Sequence, residues 1–210
     1  MGDDFDAVVL ANGKYPEHEK PVKILFSAKF VVCCDGAAVS YVSRGHIPDA
    51  VVGDLDSLPG ELKMAFADKI FHDPDQNTND LTKAIKYCQS KGFYRIAILG
   101  ATGLREDHTL GNISLLVNYA QLGLDVTLVT DTGIFIPLLS SRSINCFPGQ
   151  QVSLFSFNRD TTISTVGLKY PLAEQMFSMW WQGTLNEAVG EKFSLVFSPG
   201  PMVVYLLFRD

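Results

Sequence analysis

The chain contains only four cysteines among its 210 residues, at positions 33, 34, 88 and 146. None stands in a CxxC pair and no histidine lies at the spacing of a structural zinc site, so the sequence offers neither a zinc motif nor a disulfide framework. Cys33 and Cys34 follow two valines in a strand-like run, and Cys88 lies on an apolar helical stripe. We therefore expect reduced, buried thiols, which are typical of a cytoplasmic protein.

A long apolar run, a basic start and an excess of positive charge are also missing. No stretch approaches the ~20 apolar residues of a membrane-spanning helix, and the first ten residues, MGDDFDAVVL, are acidic where a secretory signal peptide is basic. Lys and Arg number 17 against 23 Asp and Glu, and the formal net charge of -6 disfavours general nucleic-acid binding. These absences predict a cytoplasmic protein with neither membrane nor nucleic-acid partners.

The sequence has no GxxxxGKS/T phosphate loop, no GxGxxG fingerprint and no GxSxG nucleophile elbow. Its most informative segment is instead AVVGDLDS at residues 50–57, where a short apolar strand ends in two aspartates. Alternate side chains of an extended chain share a face, so Asp54 and Asp56 should point the same way. Two carboxylates held that close favour a magnesium or calcium ion between them, and the alternative is a polar loop with two solvated aspartates.

The first two thirds of the chain alternate short apolar strands with helical patterns. Strands are predicted over 7–10, 30–34, 50–52, 96–99 and 125–129, and helices over 37–44, 61–67, 79–90 and 110–120. This alternation is typical of a Rossmann-like, mostly parallel α/β sheet.

The last third of the chain has no helical stripe. Strand patterns cover 151–157, 161–166, 177–182, 193–197 and 203–208, with turn residues between them. The sequence thus predicts an α/β domain over residues 1–138, followed by a small all-β sandwich over residues 139–210.

Polar residues follow the predicted strands where these strands end. Asn12 follows the first strand, Asp35 and Gly36 follow the second, and the loops 53–57 and 100–108 follow the next two. Ligands of open parallel sheets bind outside the carboxyl ends of the strands, so we expect these segments to line one site.

The loop 100–108 combines features that suit an anion. Its glycines leave backbone amides free, and Arg105 can grip a phosphate in bidentate fashion, although it can equally be an ordinary surface arginine. His108 is the only histidine in a motif, and it is either catalytic or a hydrogen-bonded structural residue.

The stretch DPDQNTNDLTK at residues 73–83 adds an acid and a lysine. Asp80 and Lys83 lie one helical turn apart, away from the apolar stripe. An acid for a metal and a lysine for phosphate fit that face. The alternative is that Asn79 or Asp80 only caps the helix.

Four motifs in order resemble the thiamine pyrophosphokinase family: Asp35-Gly36-Ala37, GDLDS at 53–57, DQNTNDLTKA at 75–84 and GATGLREDHTLGN at 100–112. GLKYPL at 167–172 and GTLNEA at 183–188 resemble the β-domain of that family, so the resemblance covers nearly the whole chain. It implies an α/β domain followed by a β-sandwich, a homodimer, and transfer of a diphosphate from ATP to the hydroxyl of thiamine with release of AMP.

The resemblance also implies which residues form the site. Asp54, Asp56 and Asp80 would hold Mg²⁺, and Arg105 and Asp107 would lie near the ATP; these five are the candidate catalytic residues. The candidate substrate- and ATP-binding residues are Asn12, Asp35, Gly36, Ser57, Gln76, Asn79, Lys83, Gly100, Thr102, Gly103, His108, Tyr170, Trp180, Thr184 and Asn186.

Aromatic residues of the C-terminal domain suggest that the site is shared between two chains. Family members stack an aromatic side chain of the neighbouring subunit on thiamine, and Tyr170, Trp180 and Trp181 are candidates, with core packing as the alternative for each. On the predicted strand 177–182 the two tryptophans would lie on opposite faces, so that one is left exposed. Large exposed apolar patches usually mark an interface.

Two competing functions remain open at this point. One is a diphosphokinase that acts on another alcohol, such as a pterin. The other is a non-catalytic sensor of thiamine or of a nucleotide, against which the complete set of Asp54, Asp56 and Asp80 argues.

Overall fold

The computed structural model describes residues 4–209. Residues 1–3, on which part of the signal-peptide argument rests, lie outside this range. Strands and helices alternate up to residue 129, as predicted. The strands are β1 (Ala7–Leu10), β2 (Val31–Cys34), β3 (Ala50–Gly53), β4 (Ile70–His72), β5 (Arg95–Leu99) and β6 (Asp125–Val129). The helices are α1 (Glu19–Phe26), α2 (Ala37–Val42), α3 (Gly60–Ala65), α4 (Asp80–Ser90) and α5 (Glu106–Gln121).

The remainder of the chain is rich in strands. They are β7 (Gly133–Leu138), β8 (Arg142–Asn145), β9 (Gln151–Ser156), β10 (Thr162–Val166), β11 (Gln175–Met176), β12 (Asn186–Glu187), β13 (Lys192–Ser198) and β14 (Met202–Leu207). A short 3₁₀ helix covers Trp180–Gly183. Within residues 4–209, no helix is long and apolar enough to cross a membrane.

One sheet of ten strands runs through the molecule in the order β12-β9-β14-β7-β6-β5-β1-β2-β3-β4. The strands from β6 to β4 are parallel, and β7 joins antiparallel to β6. The strand order reverses around β1, which pairs with β2 on one side and with β5 on the other. Such a reversal opens a crevice at the carboxyl ends of the strands.

Helices cover both faces of the parallel part, which is why its strands are apolar on both sides. Val9 on β1 packs in one core with residues of α4 and α5, whereas Val8 and Leu10 pack in the other core with residues of α1 and α2. Cys33 and Cys34 divide between these two cores in the same way. The expectation of free, buried thiols is confirmed for both of them and for Cys88, while Cys146 is half-buried.

The strand-rich part forms a sandwich. Strands β7, β9, β12 and β14 extend the large sheet, while β8, β10, β11 and β13 form a second, antiparallel sheet in the order β11-β10-β13-β8. Apolar residues of the two sheets share one core. The predicted class, an α/β region followed by an all-β sandwich, is confirmed. The domain boundary between residues 138 and 139 stays a prediction, because one continuous sheet runs through both regions.

The strand predicted over 177–182 is wrong, because this segment contains the 3₁₀ helix. The side chain of Gln182 accepts hydrogen bonds from the Met179 N–H at 2.9 Å and from the Ser178 hydroxyl at 3.0 Å. The Trp180 indole donates to the Ser156 carbonyl at 3.0 Å. These local hydrogen bonds satisfy polar groups of the segment without a neighbouring strand. The expectation that Trp180 and Trp181 lie on opposite faces of a strand therefore does not hold.

Helix α1 was not predicted at all. His18 caps it by accepting the Lys20 N–H at 3.2 Å. Pro21 falls in the first turn, where a missing N–H costs no helical hydrogen bond.

Candidate active site

A cavity of about 740 Å³ opens at the carboxyl ends of the parallel strands, next to the reversal of strand order. Its walls come from the end of β2, from the segments that follow β1, β3, β4 and β5, and from the N-terminal parts of α4 and α5. The sequence-predicted residues that line it are Asn12, Asp54, Ser57, Gln76, Asn79, Asp80, Lys83, Thr102, Arg105 and His108.

Three carboxylates cluster beside this cavity, and those of Asp54 and Asp80 line it. One oxygen from each of Asp35, Asp54 and Asp80 lies within 4.8 Å of the other two. Asp35 follows β2, Asp54 follows β3 and Asp80 begins α4, so three separate elements build the cluster. Gly53 permits the approach, because a Cβ at that position would stand 2.9 Å from Cβ of Asp35 and 3.1 Å from Oδ1 of Asp80.

Asp35 is the buried member of the cluster, with 3% of its surface exposed. Its Oδ2 accepts the Ser57 N–H at 2.9 Å, whereas its Oδ1 is buried with no hydrogen-bond partner among the described residues. Burial raises the pKa of Asp35, the Ser57 N–H lowers it, and the charges of Asp80 and Asp54 raise it. An unpartnered buried oxygen in a group of three carboxylates fits a hard divalent cation, which prefers oxygen ligands.

The Asp54 carboxylate is held in its charged form by hydrogen bonds. The Asp56 N–H donates to its Oδ1 at 3.1 Å, and the Gln76 side-chain amide donates to its Oδ2 at 3.4 Å. The first of these bonds is the largest cause of the lowered pKa of Asp54, and the positive charge of Lys83 acts in the same direction. An ionised Asp54 is the state that a cation requires.

The expectation that Asp54 and Asp56 share a face is wrong. Leu55 between them has φ 68°, in the left-handed region, so the chain is not extended there and strand alternation does not apply. Asp56 is exposed and lies outside the group of three carboxylates. The fold brings Asp35 into the group instead, and a metal-binding role for Asp56 stays a prediction.

Helix α4 delivers both an acid and a cation to the cavity. The Asn79 side chain caps the helix by accepting the Thr82 N–H at 2.9 Å, so the capping role predicted for this residue is confirmed. Lys83 is only 3% exposed, and its Nζ lies 3.3 Å from Oδ1 of Asp80. The buried ammonium group of Lys83 therefore lines the cavity together with the carboxylates of Asp54 and Asp80.

Glycines allow the loop after β1 and the loop after β5 to touch each other. The Gly13 N–H donates to the Gly100 carbonyl at 2.6 Å, and a Cβ on Gly13 would stand 2.4 Å from that oxygen. Gly100 has φ 64° and Gly103 has φ 86°, which favour glycine. Both line a second cavity of about 240 Å³, which shares Thr102 with the main one.

Arg105 forms a bidentate pair with Asp107. Its Nε donates to Oδ1 at 3.1 Å and its Nη2 donates to Oδ2. The guanidinium is the main reason that the pKa of Asp107 falls to about 2. Arg105 lines the cavity and Asp107 does not, so the carboxylate orients an arginine that itself reaches the site. Since both side chains are largely exposed, the pair contributes little to stability.

The candidates from the C-terminal region lie outside the main cavity. Asn186 is buried and holds Tyr170 in place, donating to its carbonyl at 2.7 Å and accepting its N–H at 3.1 Å. Thr184 donates to the Trp181 carbonyl at 2.7 Å. These contacts organise the loops around the 3₁₀ helix and leave the binding roles predicted for Tyr170, Trp180, Thr184 and Asn186 untested.

The prediction from the sequence missed several lining residues, among them Thr109 and Asn112. Thr109 and Asn112 lie on α5 and face the cavity together with Arg105 and His108. Their positions follow the spacing i, i+3, i+4, i+7, so a polar helical stripe was the available signal. Asn112 also donates to the Ala101 carbonyl at 2.8 Å, which ties α5 to the loop after β5.

A segment rich in exposed apolar side chains, residues 170–185, contains the 3₁₀ helix. We call it the tryptophan patch; its members and their exposed fractions are Tyr170 60%, Met176 54%, Met179 59%, Trp180 43%, Trp181 72% and Leu185 74%. Leu185 has φ 61°, an unusual conformation for a branched side chain. A patch of this composition is typical of a surface that is covered by a partner.

The fold and the site define a class before any comparison. A parallel sheet presents three clustered carboxylates, a buried lysine and an arginine in a polar cavity at its switch point, and this arrangement is that of an α/β enzyme for a phosphorylated, metal-bound substrate.

Comparisons with known proteins identify the family. Two protein-family models match the chain. The family model for the catalytic domain of thiamin pyrophosphokinase matches residues 22–128, and the family model for its substrate-binding domain matches residues 133–205. The chain therefore belongs to the thiamin pyrophosphokinase family, whose members are ATP-dependent diphosphotransferases.

Individual relatives agree with this assignment. The chain is similar to thiamine pyrophosphokinase 1 of Oryza sativa subsp. japonica, with 29% identity over 97% of this chain and 88% of that protein. Thiamin pyrophosphokinase 1 of Caenorhabditis elegans is 26% identical over 69% of this chain, and the match spans 65% of that protein's length. The crystal structure of thiamine pyrophosphokinase from Bacillus subtilis has the same fold, with a TM-score of 0.79 and 20% identity over 97% of this chain and 100% of that one.

Proposed function

We propose that this chain transfers the terminal diphosphate of ATP to the hydroxyl of thiamine, giving thiamine diphosphate and AMP. The observation that carries the proposal is the cluster of Asp35, Asp54 and Asp80 beside the buried Lys83, in a cavity at the switch point of a sheet that has no phosphate loop.

The proposed reaction is an in-line displacement at phosphorus. The hydroxyl oxygen of thiamine bonds to the β-phosphorus, and the bond from that phosphorus to the oxygen bridging the α-phosphate breaks. AMP departs with the electron pair, and the hydroxyl proton passes to a carboxylate of the site, for which Asp54, Asp56 and Asp80 are the candidates. No protein nucleophile is needed, so catalysis depends on alignment and on charge neutralisation.

Asp54 and Asp80, together with Asp35, would hold a Mg²⁺ ion. A bound magnesium ion neutralises negative charge on the phosphate oxygens. The unpartnered Oδ1 of Asp35 supports this ligand set. Asp56, one of the three ligands expected from the sequence, is exposed and outside the cluster, and its backbone N–H donates to the carboxylate of Asp54.

The chain supplies its own cations for the triphosphate. Lys83 is paired with Asp80 and Arg105 with Asp107, and both cations line the cavity in which the triphosphate would bind. Gln76 lies at the same cavity, hydrogen-bonded to Asp54, where it can contact the acceptor.

We also propose that the active enzyme is a homodimer in which the tryptophan patch of one chain faces the carboxylates of the other. Thiamine is a flat cation, and an aromatic face stacked on it contributes about 0.5–2 kcal/mol. Trp181 and Tyr170 are the more exposed of the three aromatic candidates, which supports them over Trp180.

A cytoplasmic location completes the proposal. The four free cysteines, three of them buried, support a reducing compartment.

The test is to incubate the purified chain with ATP, Mg²⁺ and thiamine and to separate the products by chromatography. We expect AMP and thiamine diphosphate in equal amounts, and no AMP when thiamine is left out. ADP as the stoichiometric product would contradict diphosphate transfer. A pterin alcohol used in place of thiamine tests the other acceptor class, and binding of both ligands without turnover would identify a sensor.

A further inference from the structure

A third cavity, separate from the two described above, lies away from the carboxylates, where α1, β8 and the face of the large sheet meet. Its volume is about 790 Å³, which exceeds that of the active-site cavity. The two cavities have no lining residue in common. Membership of the family does not assign a role to this cavity.

The floor of this cavity is apolar. Strands β7 and β14 contribute Ile134, Ile136, Leu138 and Leu206, and Ile144 closes it from β8. All of them except Ile134 are at most 6% exposed. The volume is sufficient for a fused aromatic ring system or a branched acyl group, within the range usual for small-molecule sites.

The rim of this cavity is basic, in contrast to the rest of the chain. Among the described residues 4–209, four Lys and Arg side chains line it, and Glu19 is the only acid that does. The four cations are Lys20, Lys23, Arg142 and Arg209. A positive rim on a protein of net charge -6 is the electrostatic complement of an anion.

Two of these cations rest on aromatic rings that also line the cavity. Lys20 Nζ lies 4.2 Å from the centroid of Phe208, and Arg209 Cζ lies 4.9 Å from the centroid of Phe147. Within residues 4–209, neither Lys20 nor Arg209 forms an ion pair with a carboxylate. The cations are therefore positioned by the rings, and their charge is not neutralised within the described chain.

We propose that this cavity binds a small amphipathic anion, whose apolar body lies on the isoleucine-rich floor and whose carboxylate or phosphate meets Lys20 and Arg209. The observations favour a small molecule over a protein partner, because the apolar surface is recessed in a cavity and the charges stand at its rim. A ligand here contacts α1, β7 and β14, and it leaves the active-site cavity accessible.

The test uses three naphthalene probes that differ only in their polar group: 1-naphthoate, 1-naphthyl phosphate and the neutral 1-naphthalenemethanol. Binding is followed by NMR on the full chain with labelled isoleucine δ-methyl groups. Ile136 and Ile144 line this cavity and report on it. Ile85, in the core under α4 and α5, and Ile163, in the core of the sandwich, do not line it and serve as internal controls.

We expect the anionic probes to shift Ile136 and Ile144 saturably and to bind at least tenfold more tightly than the neutral probe. The preferred head group identifies the ligand as a carboxylate or as a phosphate ester. Lys20→Gln combined with Arg209→Gln should weaken anion binding about tenfold or more. Arg159→Gln removes one positive charge from an exposed turn outside the cavity, as each single substitution does at the rim, and should change nothing.

Equal affinity for the neutral probe, or unchanged anion affinity in the double variant, would overturn the proposal. So would the absence of any methyl shift at millimolar probe, which is the result expected if another chain fills the cavity. Since all three substituted side chains are exposed, loss of folding is not expected to obscure the result.

Discussion

The Lys83 ammonium group lies 3.3 Å from Oδ1 of Asp80, one turn further along α4, and it is almost completely buried. Lys83 is thus held beside a carboxylate that belongs to the acidic cluster with Asp35 and Asp54. The two residues form an ion pair within the helix, and both also line the candidate active-site cavity. Under the proposed function, the same short helical segment would supply one group for a cation and one for a phosphate.

Substitution of Lys83 should impair nucleotide binding. Lys83→Gln removes the buried positive charge, so we expect the KM for ATP to rise about tenfold or more, equivalent to ~1.4 kcal/mol. Steady-state kinetics with varied ATP measure this. Lys86→Gln makes the same change on the exposed side of α4 and should leave KM within twofold. Equal KM values in both variants would mean that Lys83 only neutralises Asp80.

Substitution of the acids should separate the cluster seen in the structure from the set expected from sequence. Asp54→Asn and Asp35→Asn each remove a proposed ligand with little change in shape, and turnover should fall about a hundredfold or more, equivalent to ~2.7 kcal/mol. Asp56→Asn should cost less than tenfold, because its carboxylate lies outside the cluster.

The matching measurement for these acid variants is the affinity for Mn²⁺, followed by water-proton relaxation. It should fall in the Asp35 and Asp54 variants and stay near normal in the Asp56 variant. A hundredfold loss of turnover in Asp56→Asn would restore the ligand set predicted from the sequence.

Gly53→Ala should disable the site through geometry alone. The added Cβ would stand 2.9 Å from Cβ of Asp35 and 3.1 Å from Oδ1 of Asp80, so the two carboxylates must move apart. We expect a loss of turnover of about a hundredfold and a lower Tm. Gly60→Ala is the matched control, since nothing lies within 4 Å of a Cβ there. Normal activity in Gly53→Ala would show that the spacing of the cluster is not critical.

The tryptophan patch can be tested by mixing two chains that are each impaired in a different part of the proposed shared site. Trp181→Ala removes the most exposed aromatic side chain of the patch and should lower thiamine affinity by about two- to thirtyfold, in line with a stacking contribution of ~0.5–2 kcal/mol. Mixing this variant with Asp54→Asn should form heterodimers with one intact site and restore part of the activity. A fully active monomer in sedimentation at assay concentration would refute the shared site.

The thiols provide a prediction on pH. Burial raises the pKa of Cys88 from its ordinary value near 9 to about 12. A raised pKa means that the folded state binds this proton more tightly. The thiol therefore favours folding below pH 9, and its contribution is lost as the pH rises from about 9 to about 12.

The free energy of unfolding measured between pH 8 and pH 12 checks this prediction, and thiol titration with an aromatic disulfide reagent at pH 8 checks the burial on which it rests. The native chain should release at most one equivalent, from the half-buried Cys146, and the unfolded chain should release four. Rapid release of three or four equivalents from the native protein would contradict the burial of Cys33, Cys34 and Cys88.

Much of the fold could be read from the sequence because local chemistry dictates it. The strands around Val8, Val32 and Val51 are continuous apolar runs, which only a sheet covered on both faces can bury. The stripe on α4 and its Asn79 cap are equally local signals. Residues such as Asn12, Asp80 and Arg105 could be placed in one site because parallel strands bring their carboxyl ends to the same edge.

What the sequence could not decide depends on contacts between distant segments. The φ of 68° at Leu55 turns Asp56 away from Asp54, and the burial of Asp35 under the loop after β3 brings a different carboxylate into the cluster. The segment around Trp180 has a strand-like composition but becomes a 3₁₀ helix, because Gln182 and the Ser156 carbonyl satisfy its polar groups. Local periodicity thus determined which elements form and which edge of the sheet binds ligand. Only the tertiary structure decided which carboxylates meet, since their distances depend on backbone conformations and packing that no local pattern encodes.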